Sequence, residues 1–254
     1  MPDLVISLGG AQWPLLVLAP FIGSFLGVVI RRFPDGQPII RGRSACEWCG
    51  APLTPRELLP LVSWLVQRAR CRHCGQKLGW FYPGVELAAL AIAAIAIACD
   101  GQEEPWLSCL LGWWLLALAW IDVRRWVLPD VLTLPLLVTG LVVAAIVNAA
   151  SLADRAIAAI LAYLALRGLS LAYRRLRHRE GLGQGDAKLF AAAGAWLGTA
   201  ALPQVILLAA ASALAMATGL AVAGTRLRAD TALPFGPFLA LATWLIWLFG
   251  PLEF

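Results

Sequence analysis

Charge is what this sequence has least of. Of its 254 residues, 14% are Asp, Glu, Lys or Arg, while 61% are hydrophobic. A soluble globular domain carries about 25% charged and about 45–50% apolar residues, so a free-standing soluble protein is excluded. Other absences narrow the reading. No basic n-region precedes the first apolar run and no small-residue cleavage site follows it, which argues for a retained span over a cleaved signal peptide. The sequence has no internal repeat and no glycine-rich dinucleotide-type loop. It also lacks the interleaving of aromatic and basic residues that single-strand nucleic-acid binding uses. The net charge of +5 is therefore read as the Lys/Arg bias of cytoplasmic loops, with no nucleic-acid partner.

What is present is a series of apolar runs. A helix needs about 20 residues to cross about 30 Å of hydrocarbon. Eight runs qualify, at about 11–30, 83–99, 106–121, 129–148, 155–173, 187–201, 204–223 and 233–251. The expected fold class is an all-α polytopic membrane protein with a small cytoplasmic cysteine knuckle. Its parts are a first span (1–30), a loop domain (31–82) and a seven-helix membrane region (83–254). If both termini lie outside, the inner loops collect Arg31 through Lys77, then Arg124 and Arg125, then Arg174, Arg175, Arg177 and Arg179, then Arg226 and Arg228. The outer loops, "DGQEEP" at 100–105 and "NAASLADR" at 148–155, hold Arg155 alone. This asymmetry orients the chain. Trp13, Trp80, Trp126 and Trp244, near span ends, read as interfacial anchors.

The loop at 31–82 holds "CEWCG" and "CRHCG", so Cys46, Cys49, Cys71 and Cys74 form a CxxC…CxxC pair. Two intervening residues let both thiolates of a pair face one ion, and Gly50 and Gly75 permit the turn that follows. Four thiolates close a tetrahedral shell with no open position, which points to structural zinc. An iron–sulfur cluster shares the spacing. Two disulfides are disfavoured in a reducing compartment. His73 reads as a surface residue. Cys99 and Cys109 read as packed apolar residues, or else as a disulfide on the outer side.

Three carboxylates sit at the cytoplasmic ends of helices: Asp122 in "LAWIDVRRWVLPD", Asp130 after Pro129, and Asp186 after "GLGQG". Ionisable groups at spans are functional candidates, because charge in hydrocarbon costs about 2.5–3.5 kcal/mol or more. Counting spans puts Asp122 and Asp186 at one face and similar depth. Two carboxylates in close approach do not both ionise easily, so such a pair supplies a general base and a general acid together. Gly183 and Gly185 are expected to allow backbone conformations closed to other residues, forming a hinge for Asp186. Lys188 either biases that pair, holds substrate or snorkels to the interface. The blander readings are a helix cap for Asp186 and Asp130, and a surface pair with Arg124 or Arg125 for Asp122.

These residues carry a resemblance. "GSFLGVVIRRFP" (23–34), "CEWCG…CRHCG", "FYPGVE" (81–86), "IDVRRWVLPD" (121–130), "GLGQGDAKLFAAAGAWLG" (181–198) and "PFGPFLA" (234–240) occur in this order. Together they resemble the type IV prepilin leader peptidase/N-methyltransferase family of bacterial inner membranes. The resemblance implies an aspartic endopeptidase of the GxGD type with Asp122 and Asp186 as its catalytic pair. It implies cleavage after a glycine in type IV prepilins and type II secretion pseudopilins at the cytoplasmic face. It also implies N-methylation of the new terminus from S-adenosylmethionine. Glu86, an acid entering the second span, is the best candidate for work at that second site. The chain departs from the family where Gly27 replaces the usual asparagine, and where "ELLP" (57–60) replaces Asn-x-Ile-Pro. A peptidase lacking methyltransferase activity is the alternative these departures leave open, and a proton-coupled transporter and a non-enzymatic assembly factor are the competing classes. Transporter sites favour the midplane, and an assembly factor has no need of both aspartates.

Overall fold

A computed structural model describes residues 12–39, 43–99, 105–177, 183–224 and 233–251. The loop at 100–104 and Arg179, Arg226 and Arg228 lie outside the described residues. Among those described the structure is helical. The order is α1 (Trp13–Arg32), a short α2 (Val62–Val66), α3 (Phe81–Ala98), α4 (Pro105–Arg125), α5 (Asp130–Val147), α6 (Leu152–Arg177), α7 (Gln184–Leu197), α8 (Leu202–Val222) and α9 (Gly236–Phe249). Helices therefore cover all eight expected apolar runs. Six segments are long and apolar enough to cross a membrane. The other two, α7 and α9, have 14 residues each, or about 21 Å of helix at about 1.5 Å per residue.

The chain divides into two compact units, Met1–Trp113 and Trp114–Phe254, with the division inside α4. In the first unit α1 packs on α3. Gly23 permits that approach: a Cβ there would lie 2.6 Å from the Glu86 Cα. Leu15 and Ala19 of α1 pack with Ala93, Ala96 and Ile97 of α3 and Cys109 of α4. The Trp113 indole N–H donates to the Ala89 carbonyl at 2.9 Å. Cys99 and Cys109 are free thiols, and Cys109 is fully buried in this apolar cluster.

In the second unit α7 is the central element, packed by α5, α6 and α9. Every residue from Leu189 to Trp196 is buried, which explains a helix built of "LFAAAGAW". Its small residues let backbones meet: a Cβ on Gly194 would lie 2.7 Å from the Ala158 carbonyl carbon of α6. Trp196 closes the core by donating to the Leu136 carbonyl at 2.9 Å, and it meets Trp247 edge to face at 5.3 Å. The Asp154 carboxylate at the start of α6 accepts from the Thr199 N–H at 3.1 Å and its hydroxyl at 2.5 Å, just past the end of α7. These contacts make α6 and α7 antiparallel. Counting back from them sets Asp186 level with about Arg167, leaving about 15 Å of α6 beyond it.

The tryptophans divide. Trp13, Trp80 and Trp126 are exposed, as interfacial anchors require, but Trp244 is 6% exposed. Its run in α9 faces the packed interior of the second unit, a placement that position near a span end does not reveal.

Candidate active site and metal centre

Local structure brings the two halves of the cysteine motif into one frame. In each, the residue before the first cysteine forms an isolated antiparallel bridge, Ala45 with Pro52 and Arg70 with Lys77. The Cys46 N–H donates to the Ala51 carbonyl, and the Gly50 N–H returns to the Cys46 carbonyl. Cys71, Gln76 and Gly75 repeat the pattern. Gly50 at φ +68° and Gly75 at φ +71° take the left-handed conformation that closes each turn. All four thiol groups lie within 4.8 Å of one another. Cys46 Sγ and Cys74 Sγ are 3.9 Å apart, against about 3.8 Å for the edge of a tetrahedron with metal–sulfur bonds of about 2.3 Å.

The electrostatics agree with that fit. The backbone N–H of Cys49, then that of Trp48, lowers the Cys46 thiol to about 6. At Cys74 the Gln76 N–H also pulls downward, but burial and the neighbouring thiols outweigh it and push the group up to about 11. Cys46 and Cys74, 3.9 Å apart, are thus pushed in opposite directions, and a divalent cation bound between them favours the thiolate at both. The cluster is consistent with a metal site. His73 is exposed at its rim.

The second site is built by the ends of three helices of the second unit. Asp122 lies in the last turn of α4. After it Trp126 adopts φ +58°, an uncommon conformation for a bulky residue. Its N–H still bonds to the Asp122 carbonyl at 2.8 Å. This turn carries the chain to Leu128, which packs on Gly185 in the first turn of α7. A Cβ on Gly185 would lie 2.7 Å from the Leu128 Cβ. The end of α4 and the start of α7 are thereby fixed together.

Asp122 and Asp186 are 6% and 8% exposed, and the charge of Asp122 acts on Asp186. Asp122 Oδ2 accepts from the Gly236 N–H at the start of α9, at 3.1 Å. Asp186 Oδ2 accepts from the Gly183 N–H at 3.2 Å, so Asp186 does cap its own helix, from the third position. A cap alone does not call for burial beside a second carboxylate. The surface pair with Arg124 or Arg125 considered for Asp122 gives way to the Gly236 contact, which sequence inspection does not find. Only the "PFGPFLA" run marks that glycine.

Three expectations change here. Gly183 sits at φ −68°, ψ 150°, extended backbone open to any residue, and Gly185 is helical. Neither needs a special conformation; what Gly185 needs is space beside Leu128. The hinge residues 181–182 lie outside the described residues. Lys188 does not address the aspartate pair: its Nζ binds both carboxylate oxygens of Asp130, at 2.5 and 2.7 Å. Asp130, at the first position of α5, thereby forms an ion pair that joins α5 to α7. Glu86 belongs to the other unit, 5% exposed in α3, and accepts from the Leu61 N–H at 2.8 Å.

A multi-pass helical membrane protein with a buried aspartate pair at three helix ends and a separate four-cysteine cluster is the class these features define. Residues 17–99 match the family described as Bacterial Peptidase A24 N-terminal domain, and residues 109–218 match the Type IV leader peptidase family. The chain is 40% identical to a prepilin leader peptidase/N-methyltransferase of Aeromonas hydrophila, over 90% of this chain and 87% of that protein. It is 41% identical to the protein of that name from Burkholderia pseudomallei strain K96243, over 89% and 81%. It is 37% identical to the one from Pseudomonas aeruginosa strain PAO1, over 92% and 89%. No solved structure matches it. The chain belongs to the peptidase A24 family of prepilin leader peptidase/N-methyltransferases.

Proposed function

We propose that this chain cleaves the leader from type IV prepilins and type II secretion pseudopilins and methylates the amine so exposed. The observation that carries the peptidase half is the pair of buried carboxylates Asp122 and Asp186, each held by a backbone N–H. The ionised member takes a proton from water as the oxygen attacks the peptide carbonyl. The protonated member donates to the carbonyl oxygen, and collapse expels the amine with a proton. Neither step requires a covalent enzyme intermediate.

The four cysteines hold structural Zn²⁺, which ties the two turns of the 31–82 loop into one domain linked to methyl transfer; residues 83–254 carry the peptidase. S-adenosylmethionine supplies the methyl group. The Lys/Arg distribution supports a cytoplasmic aspartate pair and zinc loop in the bacterial inner membrane, with both termini periplasmic.

The test is mass spectrometry of a purified prepilin incubated with the detergent-solubilised enzyme and S-adenosylmethionine. Cleavage after the leader glycine with a 14-Da gain on the mature product, about the mass of one methylene, is the expected result. A folded enzyme that cleaves no prepilin rejects the reading.

A further inference from the structure

The short helix α2 has its faces reversed. Ser63, Trp64 and Gln67 line a cavity shared with the first turns of α3, while Val62, Leu65 and Val66 turn outward and are 54, 66 and 77% exposed. On a water-soluble surface the apolar side of a helix faces inward. Scattered apolar residues at a surface are ordinary, but a contiguous patch marks a contact. The level at which α2 sits tells what covers this one.

Leu61, the residue before α2, donates its N–H to the Glu86 carboxylate at 2.8 Å. Glu86 lies five residues into α3, about 7.5 Å from its start at about 1.5 Å per residue. A Cβ on Gly23 of α1 would come within 2.6 Å of the Glu86 Cα. From Gly23, α1 continues nine residues to Arg32, about 13.5 Å. The start of α2 is therefore beside two spans, within their length and short of the arginines that end α1. At this level Phe25 of α1 and Leu87 of α3 are also exposed, so the surroundings here are those of the spans themselves.

This placement is held under strain. Leu61 has φ 59°, ψ −49°, and the Val62 N–H bonds to the Pro60 carbonyl at 2.5 Å. This is the rare classic γ-turn, which is unfavourable for a side-chain-bearing residue. Such strain persists where surrounding structure over-determines it, and here the Glu86 carboxylate fixes Leu61 and with it the depth of α2.

From Leu61 the chain climbs. The Trp64 and Trp80 rings meet with centroids 4.3 Å apart, so one turn later α2 is level with the residue that precedes α3. Arg68 at φ 50° and Ala69 at φ 56° end the helix, and Arg68 and Arg70 are exposed. Apolar residues, tryptophan and arginine thus follow one another as a leaflet passes from hydrocarbon through its interface to phosphate headgroups.

We propose that α2 is a membrane-docking element. Val62, Leu65 and Val66 seat in the leaflet on the side of the cysteine turns, and Arg68 and Arg70 engage its anionic headgroups. Amphipathic helices bind an interface in this way, through buried apolar area and attraction to anionic lipid. The docking is a second attachment, besides the chain ends at α1 and α3, that holds the cysteine turns against the membrane.

The test uses the full-length protein in vesicles of equal parts phosphatidylethanolamine and phosphatidylglycerol. Benzoylphenylalanine is placed at Val62 and, separately, at Val66, with Val17 on the exposed side of α1 as the lipid-facing reference. After irradiation, mass spectrometry is expected to find phospholipid adducts at all three positions. Adducts at Val17 without adducts at Val62 or Val66 overturn the proposal. Cross-links from Val62 or Val66 to a second copy of the chain, or to added prepilin, overturn it in favour of that occupant. Among adducts at Val66, phosphatidylglycerol is expected to exceed phosphatidylethanolamine by about fivefold, the factor that about 1 kcal/mol per arginine gives. That excess is expected to vanish in the double variant Arg68→Gln/Arg70→Gln while the adducts themselves remain. An equal ratio in the unsubstituted arginine background overturns the headgroup contact.

Discussion

Oδ2 of Asp122 accepts a hydrogen bond from the backbone N–H of Gly236, 3.1 Å away and 114 positions along the chain. The same oxygen would lie 2.6 Å from a Cβ at Gly236. The glycine thus does two things at once: it donates to the carboxylate and leaves room for it.

Gly236→Ala is accordingly expected to displace Asp122 and slow prepilin cleavage by about 10- to 100-fold, the cost of misplacing a reacting group by about 1 Å. Gly219→Ala is the matched control, since a Cβ there meets nothing within 4 Å. A helix-interior glycine replaced by alanine gains up to about 1 kcal/mol. Cleavage rates and thermal unfolding of both variants in detergent check the pair.

Asp122→Asn and Asp186→Asn keep side-chain size and retain an oxygen that accepts from Gly236 or Gly183. Each is expected to stay folded and to lose at least about 100-fold in cleavage, because the amide neither takes nor gives the required proton. Single-turnover cleavage of a purified prepilin reads this directly. Activity preserved in both variants rejects the pair and turns attention to Asp130.

Lys188 and Asp130 form a partly exposed pair, with side chains 26% and 56% accessible. Such pairs are worth about 0.2–1 kcal/mol. A double-mutant cycle with Lys188→Met and Asp130→Asn is expected to show a coupling energy of that size in thermal unfolding. Cleavage should fall less than in either aspartate variant of the buried pair.

Atomic spectroscopy of the purified protein is expected to find about one zinc per chain, and less than half of that in Cys46→Ser. Stripping the ion with a strong chelator should expose the 43–80 segment to trypsin. An unchanged digestion pattern in the metal-free protein contradicts a structural role for the ion.

Gly27 stands against the Tyr82 ring, where a Cβ would approach Cδ1 to 2.7 Å. The departure from asparagine seen in the sequence therefore has a partner in space. Gly27→Asn is expected to destabilise the fold by about 1–3 kcal/mol through overpacking. Adding Tyr82→Ala should recover part of that loss, so that the two changes are not additive. Unfolding midpoints of the single and double variants decide it.

The apolar runs, the four cysteines and the two buried aspartates were all legible in the sequence, because each is written in composition or in local spacing. The Asp122–Gly236 and Lys188–Asp130 contacts were not. Both join residues far apart in the chain, and neither alters the local pattern around itself. Gly185 illustrates the same limit from the other side. Its glycine invited a conformational reading, but the cause is a leucine 57 positions earlier, packed where a side chain would stand. The strained turn at Leu61 was equally hidden, since nothing in "ELLPLVSW" announces a positive φ at a leucine.

The antiparallel register of α6 and α7 bears on how water reaches the aspartates. With Asp186 level with about Arg167 and α6 running on to Arg177, about 15 Å of α6 extends past that carboxylate. The last turns of α6 carry Arg174, Arg175 and Arg177, so the helix forms a basic wall beside a carboxylate set back from its tip. A hydrolytic water travels the length of that wall to arrive, and so does the scissile bond.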